Sequence, residues 1–398
     1  MSLKDEVQFH YARKSVTHCK FSHDSKYFAT ADAECTTSVF VYSGESGWVY
    51  LGRYRAHYEP ILDMVFGVDL DSNQQRLLTL GKDRVLVEYD LALSTTDDLK
   101  LLQYSRIEQS ATPLCMDWYP NITKENFLVV SNNEYKMKLL NTTTKMCRKT
   151  FLGPTFGSPV KRISVVPALD PSASCYLMAY ATENKVGLQL LPLDGNPHRS
   201  ISLTAHPQGV SQIACSHDGN HIFTCGGNDA SIHMWSINAK AMMAVEALGG
   251  SGLEPFYGLI EGGKEGEMFA ELENYFYYAQ LQSQGMVTTE ERNVSNKVQL
   301  DQVPALMRAL GFYPSEQQIE DIINEVKFSR FVETGEHVLE IDLADFIKLY
   351  INHRPAFGLL HSEIQKAFNL LCKGTDSQNE MDLQYLTEIL QKRGKTFS

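Results

Sequence analysis

The feature that most constrains this chain is a repeat. The stretch "VSQIACSHDGNHIFTCGGNDASIHMWS" (210–236) sets an alternating run before a polar turn, then a second run, a Gly/Asp turn and a third run ending on an aromatic residue. Alternation with a period of two marks half-buried strands, and Gly/Asn/Asp clusters mark the turns between them. The same plan recurs at 16–32, 61–90, 114–141 and 160–191. The polar residue in the turn before the third strand falls at Asp83, Glu183 and Asp229, intervals of 100 and 46, with Asn133 midway in the longer one. A unit of this size cannot bury both of its faces alone and must stack on copies of itself.

The period changes near residue 250, beyond which helical runs of about ten to seventeen residues take over. The intervening "EALGGSGLEPFYGLIEGGKEGE" (246–267) holds seven glycines. Glycine pairs cost too much backbone entropy for a helix interior. The expected organisation is therefore strand repeats over 1–245, a Gly-rich linker over 246–266 and a helical domain over 267–398.

The strand units resemble the blades of WD-repeat β-propellers, whose repeats run ~40–45 residues. The last unit has His206 in "TAH", where that family has Gly-His, and Asp229 and Trp235 six residues apart. In the second unit His57, Asp83 and Tyr89 occupy the same places. The resemblance implies that the His of one turn bonds the Asp of another and that a strand Ser/Thr bridges to the aromatic residue. Thr79 fills that place in the second unit; in the last unit it falls on Cys225, so an incomplete network is expected there. The third and fourth units show only the spacing. These residues are mortar for blades rather than catalytic groups. Five blades are visible, where propellers close with about four to eight and most WD-repeat proteins use seven; the chain is either an open or five-bladed ring or, the preferred reading, one piece of a longer protein whose remaining blades lie upstream.

In the helical part, "EMFAELENYFYYAQLQSQG" (267–285) puts Met268, Leu272, Tyr275, Phe276 and Ala279 on one face, read as a core face. The run "VQLDQVPALMRALGFYPSEQQIEDIINEV" (298–326) is similar to the middle of calmodulin-like proteins. Ser315 with Gln318 makes a capping box and Gly311 closes the preceding helix. Paired EF-hands share a short β contact, placed here between Val298 and Ile341, with Phe328 and Phe331 expected to add to the common core.

The calcium chemistry of these units fails. An EF-hand loop needs oxygen ligands at positions 1, 3 and 5, Gly at 6 and a bidentate Glu at 12. The middle loop starts at Lys327 and reaches its closing acid, Asp345, only after 19 residues, not 12. The first loop has Gln302 at position 12, and the third offers Asp376 and Asp382 but has Tyr385 there. Asp342, Asp345, Asp376 and Asp382 are the only weak metal candidates, and no tight metal site and no cofactor are expected.

Composition narrows the rest. Eight scattered cysteines without a C-x-x-C pair exclude a zinc or disulfide framework and fit a reducing cytosol. No apolar run reaches the ~18–20 residues a membrane span needs, and no signal peptide is visible at residue 1. The net charge is −12: residues 1–261 hold 23 Lys+Arg against 27 Asp+Glu, and residues 262–398 hold 13 against 21. That field disfavours nucleic acid. Neither nucleotide-loop, nucleophile-elbow nor zinc-protease motifs occur, so the chain is read as no enzyme.

With "CMDWYPN", "HYEPILDMVFG" and "RALGFYPSEQQIEDIINEV", the chain resembles the cilia- and flagella-associated WD-repeat family of the calmodulin- and spoke-associated complex. That resemblance implies a scaffold on the doublet microtubules of motile cilia and flagella, at the base of the third radial spoke and needed for motility. It implies calmodulin, the other subunits of the complex, radial spoke proteins and tubulin as partners. It also implies a larger protein with an acidic leader and further blades. The alternatives are a calcium sensor whose EF-hand module regulates partner binding, which micromolar calcium binding would reveal, and a ubiquitin-ligase adaptor, which needs a docking element not seen here.

Overall fold

The computed structural model describes residues 7–44, 46–68, 74–96, 98–122, 124–167, 175–285, 291–292, 295–358, 361–372 and 380–393. The strand repeats form a five-bladed β-propeller region, followed by helices. Blade 1 comprises β1 (Val16–Phe21), β2 (Tyr27–Asp32), β3 (Thr37–Ser43) and β4 (Gly47–Tyr54). Blade 2 comprises β5 (Ile61–Val68), β6 (Gln75–Gly81), β7 (Val85–Thr95) and β8 (Asp98–Arg106). Blade 3 comprises β9 (Pro113–Trp118), β10 (Phe127–Asn132), β11 (Lys136–Asn141) and β12 (Cys147–Leu152). Blade 4 comprises β13 (Arg162–Val165), β14 (Tyr176–Ala181), β15 (Lys185–Leu191) and β16 (Ser200–Thr204). Blade 5 has three strands, β17 (Val210–Cys215), β18 (His221–Gly226) and β19 (Ile232–Ser236).

Each blade is an antiparallel meander, and the first strands of the blades lie side by side in the order β1, β5, β9, β13, β17. Stacking explains the composition of the central strands. In β10, Leu128 and Val130 join Val65 and Leu78 of blade 2, whereas Phe127 and Val129 join Met178 and Tyr180 of blade 4. Strand alternation thus delivers apolar residues to two interfaces at once, and β10 is buried along its whole length. Polar ties lock the stack. Asp63 accepts from Met116 N at 3.0 Å, and Asp117 accepts from Val165 N at 2.8 Å, so blades 2 and 3 each hold the first strand of the following blade through a carboxylate. At the ends of the stack apolar groups stay exposed: Phe21 on blade 1, and Ile232 and Met234 on β19.

The predicted blade residues come together. In blade 2, His57 Nδ1 lies 3.1 Å from Asp83 and its Nε2 lies 2.8 Å from the Thr79 hydroxyl, which donates toward Tyr89. The Tyr89 hydroxyl reaches on to Thr37 of blade 1 at 3.1 Å. Burial pushes the His57 imidazole below its ordinary value, with Asp83 opposing. In blade 5, His206 Nδ1 lies 2.7 Å from Asp229 and Nε2 lies 2.9 Å from Thr224, to which Trp235 Nε1 donates at 3.0 Å. This corrects the expectation of an incomplete network: the bridging hydroxyl belongs to Thr224, not to position 225. The turn carries one more residue between Gly226 and Asp229 than between Gly81 and Asp83, which moves the inward-facing strand position back by one.

Two devices hold the equivalent turns. In blades 2 and 5 the His–Asp pair fills the space over Gly81 and Gly226, where a Cβ would lie 2.2 Å from Asp83 Oδ1 and 1.6 Å from Asp229 Oδ1. In blades 1 and 3 the acceptor stands at the glycine position itself. Asp32 accepts from the backbone N–H groups of Arg13, Glu34 and Thr36, and Asn132 from those of Glu134 and Lys136. The turn residue Asn133 accepts from Thr112 N, and Glu183 pairs with Lys161.

The Gly-rich stretch differs from the expected linker. Helix α1 (Ala239–Leu248), capped by Asn238, and helix α2 (Glu254–Tyr257) fold there, and the glycines turn the chain around them. Phe256 and Ile260 are buried in the core of the helices that follow. The chain divides into two compact units, residues 1–354 and 355–398, so the predicted break at 245/246 does not separate compact bodies. The first unit continues through α3 (Glu267–Ser283), α4 (Val303–Ala309), α5 (Glu316–Lys327), α6 (Phe331–Thr334) and α7 (Leu343–His353), with β20 (Lys297–Gln299) and β21 (Glu340–Asp342). The second holds α8 (His361–Cys372) and α9 (Leu383–Arg393). Among the described residues no helix is long and apolar enough to cross a membrane.

Candidate interaction site: the helix–loop–helix pair against blade 3

Local signals build the pair as the sequence indicates. Ser315 and Gln318 form the capping box of α5, and Gly311, in the left-handed region, follows α4. β20 and β21 pair with Val298 opposite Ile341. Leu272, Phe276, Val303, Met307, Ile322, Phe346 and Ile347 fill the core, and the Tyr350 hydroxyl donates to Leu310 O at 2.9 Å. The core face of α3 carries Phe269, Leu272, Phe276 and Ala279, while Tyr275, expected inside, is 38% exposed. At 100° per residue Tyr275 falls at the rim of the stripe, and its hydroxyl favours solvent.

The candidate metal carboxylates do other work. Asp342 is the N-cap of α7, accepting from Asp345 N at 2.8 Å. Asp345 is exposed, 3.9 Å from Lys348. Asp382 accepts from Gln384 N at 3.3 Å ahead of α9. Asp376 lies outside the described residues. Among the described residues no group of three His, Cys, Asp or Glu side chains is placed to hold a metal ion. The long middle loop is filled by aromatic rings: Phe328 packs edge-on against Phe331 and His337, and Arg148 of blade 3 lies over the Phe328 ring. Phe328 and Phe331 were expected to add to the shared core; they instead pack on each other outside it, with Phe331 exposed.

The acids and amides of α5 and α7 meet blade 3. Glu325 accepts from Thr150 N at 3.0 Å and from His353 Nε2 at 2.9 Å. Asn352 Oδ1 accepts from Leu152 N at 3.1 Å, and its amide nitrogen donates to Asp194 O. Thr150 and Leu152 are alternate residues on β12, the outer strand of the blade. Their N–H groups would otherwise form an open ladder edge, so side chains from the helices cover it. Asn352 comes so close that a Cβ on Gly195 would meet its Oδ1 at 1.9 Å.

Two lysines on β11 complete the joint. Lys136 Nζ donates to Asn352 O at 2.5 Å and Arg354 O at 2.6 Å, taking up carbonyls at the C-terminal end of α7. Burial pushes the Lys136 ammonium down to about 7. Lys138 meets Glu108 at 2.9 Å and Asp321 at 3.6 Å; burial pulls it down, but Glu108 first, then Cys147 and Asp321, outweigh burial and hold it above the ordinary lysine range. A cavity of about 340 Å³ lies beside the joint, lined in part by Lys149, Glu325, Arg330, Asp345, Lys348 and Asn352. The sequence offered no signal for Glu325, Asn352 or Lys136, because pairing across some 200 residues leaves no local spacing. The one visible hint was the flanking of buried Met137 by two lysines.

Propeller, joint and helical pair define the chain as a WD-repeat protein with a helical module fastened to its third blade. Residues 3–41 and 197–236 match the family "WD domain, G-beta repeat", and residues 267–398 match "CFAP251 C-terminal domain". Over most of its length the chain is similar to cilia- and flagella-associated protein 251: it is 50% identical to that protein from Mus musculus over 377 residues, 93% of this chain and 29% of the relative. It is 35% identical to the Tetrahymena thermophila protein over 94% of this chain and 41% of the relative, and 27% identical to the Chlamydomonas reinhardtii protein over 95% and 36%. The chain thus spans between about three tenths and two fifths of the length of these curated relatives.

Proposed function

We propose that this chain is a non-catalytic scaffold segment of the motile-cilium axoneme. In this reading it anchors the base of the third radial spoke, with the calmodulin- and spoke-associated complex, to the doublet microtubule. The relatives' names support a place in cilia and flagella. The observation that carries a scaffold rather than a sensor is the use of the helical carboxylates. Glu325 and Asp321 of α5 bind blade 3, while the metal candidate Asp342 caps α7, so the acids of the module serve docking and capping.

Partners under this proposal are calmodulin, the other subunits of the complex, radial spoke proteins and tubulin. The test is to express the full-length protein with a tag in ciliated cells lacking their own copy, and to cross-link isolated axonemes. The reading expects the tag in the salt-resistant axoneme, restored beating and cross-links to spoke-base proteins. A tag lost to the detergent-soluble fraction, or restored localisation without any effect on beating, overturns it.

A further inference from the structure

We propose that the blade 1 rim carries a binding site for a glutamate- or aspartate-rich segment of a partner protein, built by Arg13, Arg53 and Arg55. These arginines line a surface cavity of about 210 Å³ together with Glu34, Thr36 and Tyr54. Among the described residues, none of the three guanidinium groups is paired with a carboxylate; the Arg53 group reaches only the Tyr11 carbonyl, at 3.4 Å. The buried carboxylate of Asp32 is already engaged by main-chain donors. Asp32 receives the backbone N–H groups of Arg13, Glu34 and Thr36, and so fixes three of the residues that line the cavity. Asp83, on the neighbouring turn, is held by His57 and Tyr58 N.

Three unpaired guanidinium groups on a chain of net charge −12 are out of keeping with the rest of its surface. Guanidinium groups present planar forks that match carboxylates in two-point contacts, and their weak hydration makes them the natural partners of such groups. Thr36 and the exposed Tyr54 add hydroxyls at the wall. The cavity is wide enough for one or two carboxylate side chains. A long phosphate backbone would instead run out over the acidic remainder of the molecule, so a short acidic peptide is the better fit. Glu34 shares the cavity and opposes any anion, which gives the site an internal control. The inference does not depend on the ciliary assignment, since it rests on the rim of blade 1 alone.

The experiment measures fluorescence anisotropy of a labelled deca-glutamate peptide with the full chain, against deca-glutamine, a phosphoserine peptide and single-stranded DNA of matched length. Binding of deca-glutamate that weakens with salt is expected. Arg13→Glu and Arg55→Glu are each expected to weaken it by about tenfold or more, and Glu34→Gln to tighten it. Should the charge reversals unfold the chain, as read by circular dichroism, Arg55→Gln and Glu34→Gln decide. The proposal is overturned if wild type does not prefer deca-glutamate to deca-glutamine, if Arg55→Gln and Glu34→Gln bind like wild type, or if the phosphoserine peptide or DNA displaces deca-glutamate at lower concentration.

Discussion

Lys136, in the middle of the propeller, donates to the main-chain carbonyl of Asn352 at 2.5 Å, across 216 residues of sequence. Through it the end of α7 is fastened to blade 3, on the same side as the β12 edge that Glu325 and Asn352 cover. Helices α1 to α7 belong to one compact unit with the blades.

Lys136→Ala is expected to lose roughly 2–4 kcal/mol, from the cavity and from two carbonyls left unpaired. Hydrogen exchange should rise in α7 before it rises in the blades. The pH dependence has a definite sign. The Lys136 value falls from 10.5 in the unfolded chain to about 7 in the folded one. Between those values the unfolded chain holds a proton that the folded chain has released, so the contribution of Lys136 to stability grows as pH rises from about 7 to 10.5. Urea unfolding at pH 7 and pH 9.5 should show a difference in wild type that shrinks in Lys136→Met.

Asp342 separates capping from chelation. Asp342→Ala is expected to cost ~1 kcal/mol through loss of the N-cap of α7, and Asp342→Ser to restore most of it. Neither effect should depend on calcium. Thermal melts of the full chain in 1 mM calcium and in excess chelator should coincide for wild type and both variants; a calcium-dependent rise in the wild-type midpoint would return the chain to the sensors.

Thr224 and Cys225 make a matched pair in blade 5. Thr224 is fully buried between His206 and Trp235. Thr224→Val removes the shared hydroxyl, leaves both ring nitrogens unsatisfied and is expected to cost roughly 1–3 kcal/mol. Cys225→Ser, one residue on, should change stability by about 0.5 kcal/mol or less. Equal effects in denaturant unfolding would contradict the assignment of the bridge to Thr224.

Gly81 and Gly227 test the space under the His–Asp pair. A Cβ on Gly81 would meet Asp83 Oδ1 at 2.2 Å and His57 Nδ1 at 2.3 Å, whereas one on Gly227 finds nothing nearer than 3.8 Å. Gly81→Ala is therefore expected to cost roughly 2–4 kcal/mol, and Gly227→Ala about 1 kcal/mol or less. Tryptophan fluorescence during urea unfolding reads both.

The sequence alone determined what is local. Alternation and turn chemistry specified five blades, because each blade is a meander of neighbouring strands; capping box and C′ glycine were readable for the same reason, whereas the Val298–Ile341 contact was placed from the resemblance to paired helix–loop–helix units. His57, Asp83, His206, Asp229 and Trp235 were legible because their partners sit a fixed number of residues away. One inserted turn residue was enough to misplace the bridging hydroxyl at Cys225. Tertiary structure alone decided what the acids of the helical module do. Lys136, Thr150, Glu325 and Asn352 meet across roughly 175 to 216 residues, and a contact that distant is set by packing, which no periodicity records. Likewise the glycines of 249–266 read as a loose linker until Phe256 and Ile260 were seen in the core, since burial of two large apolar side chains outweighs the backbone entropy those glycines give up.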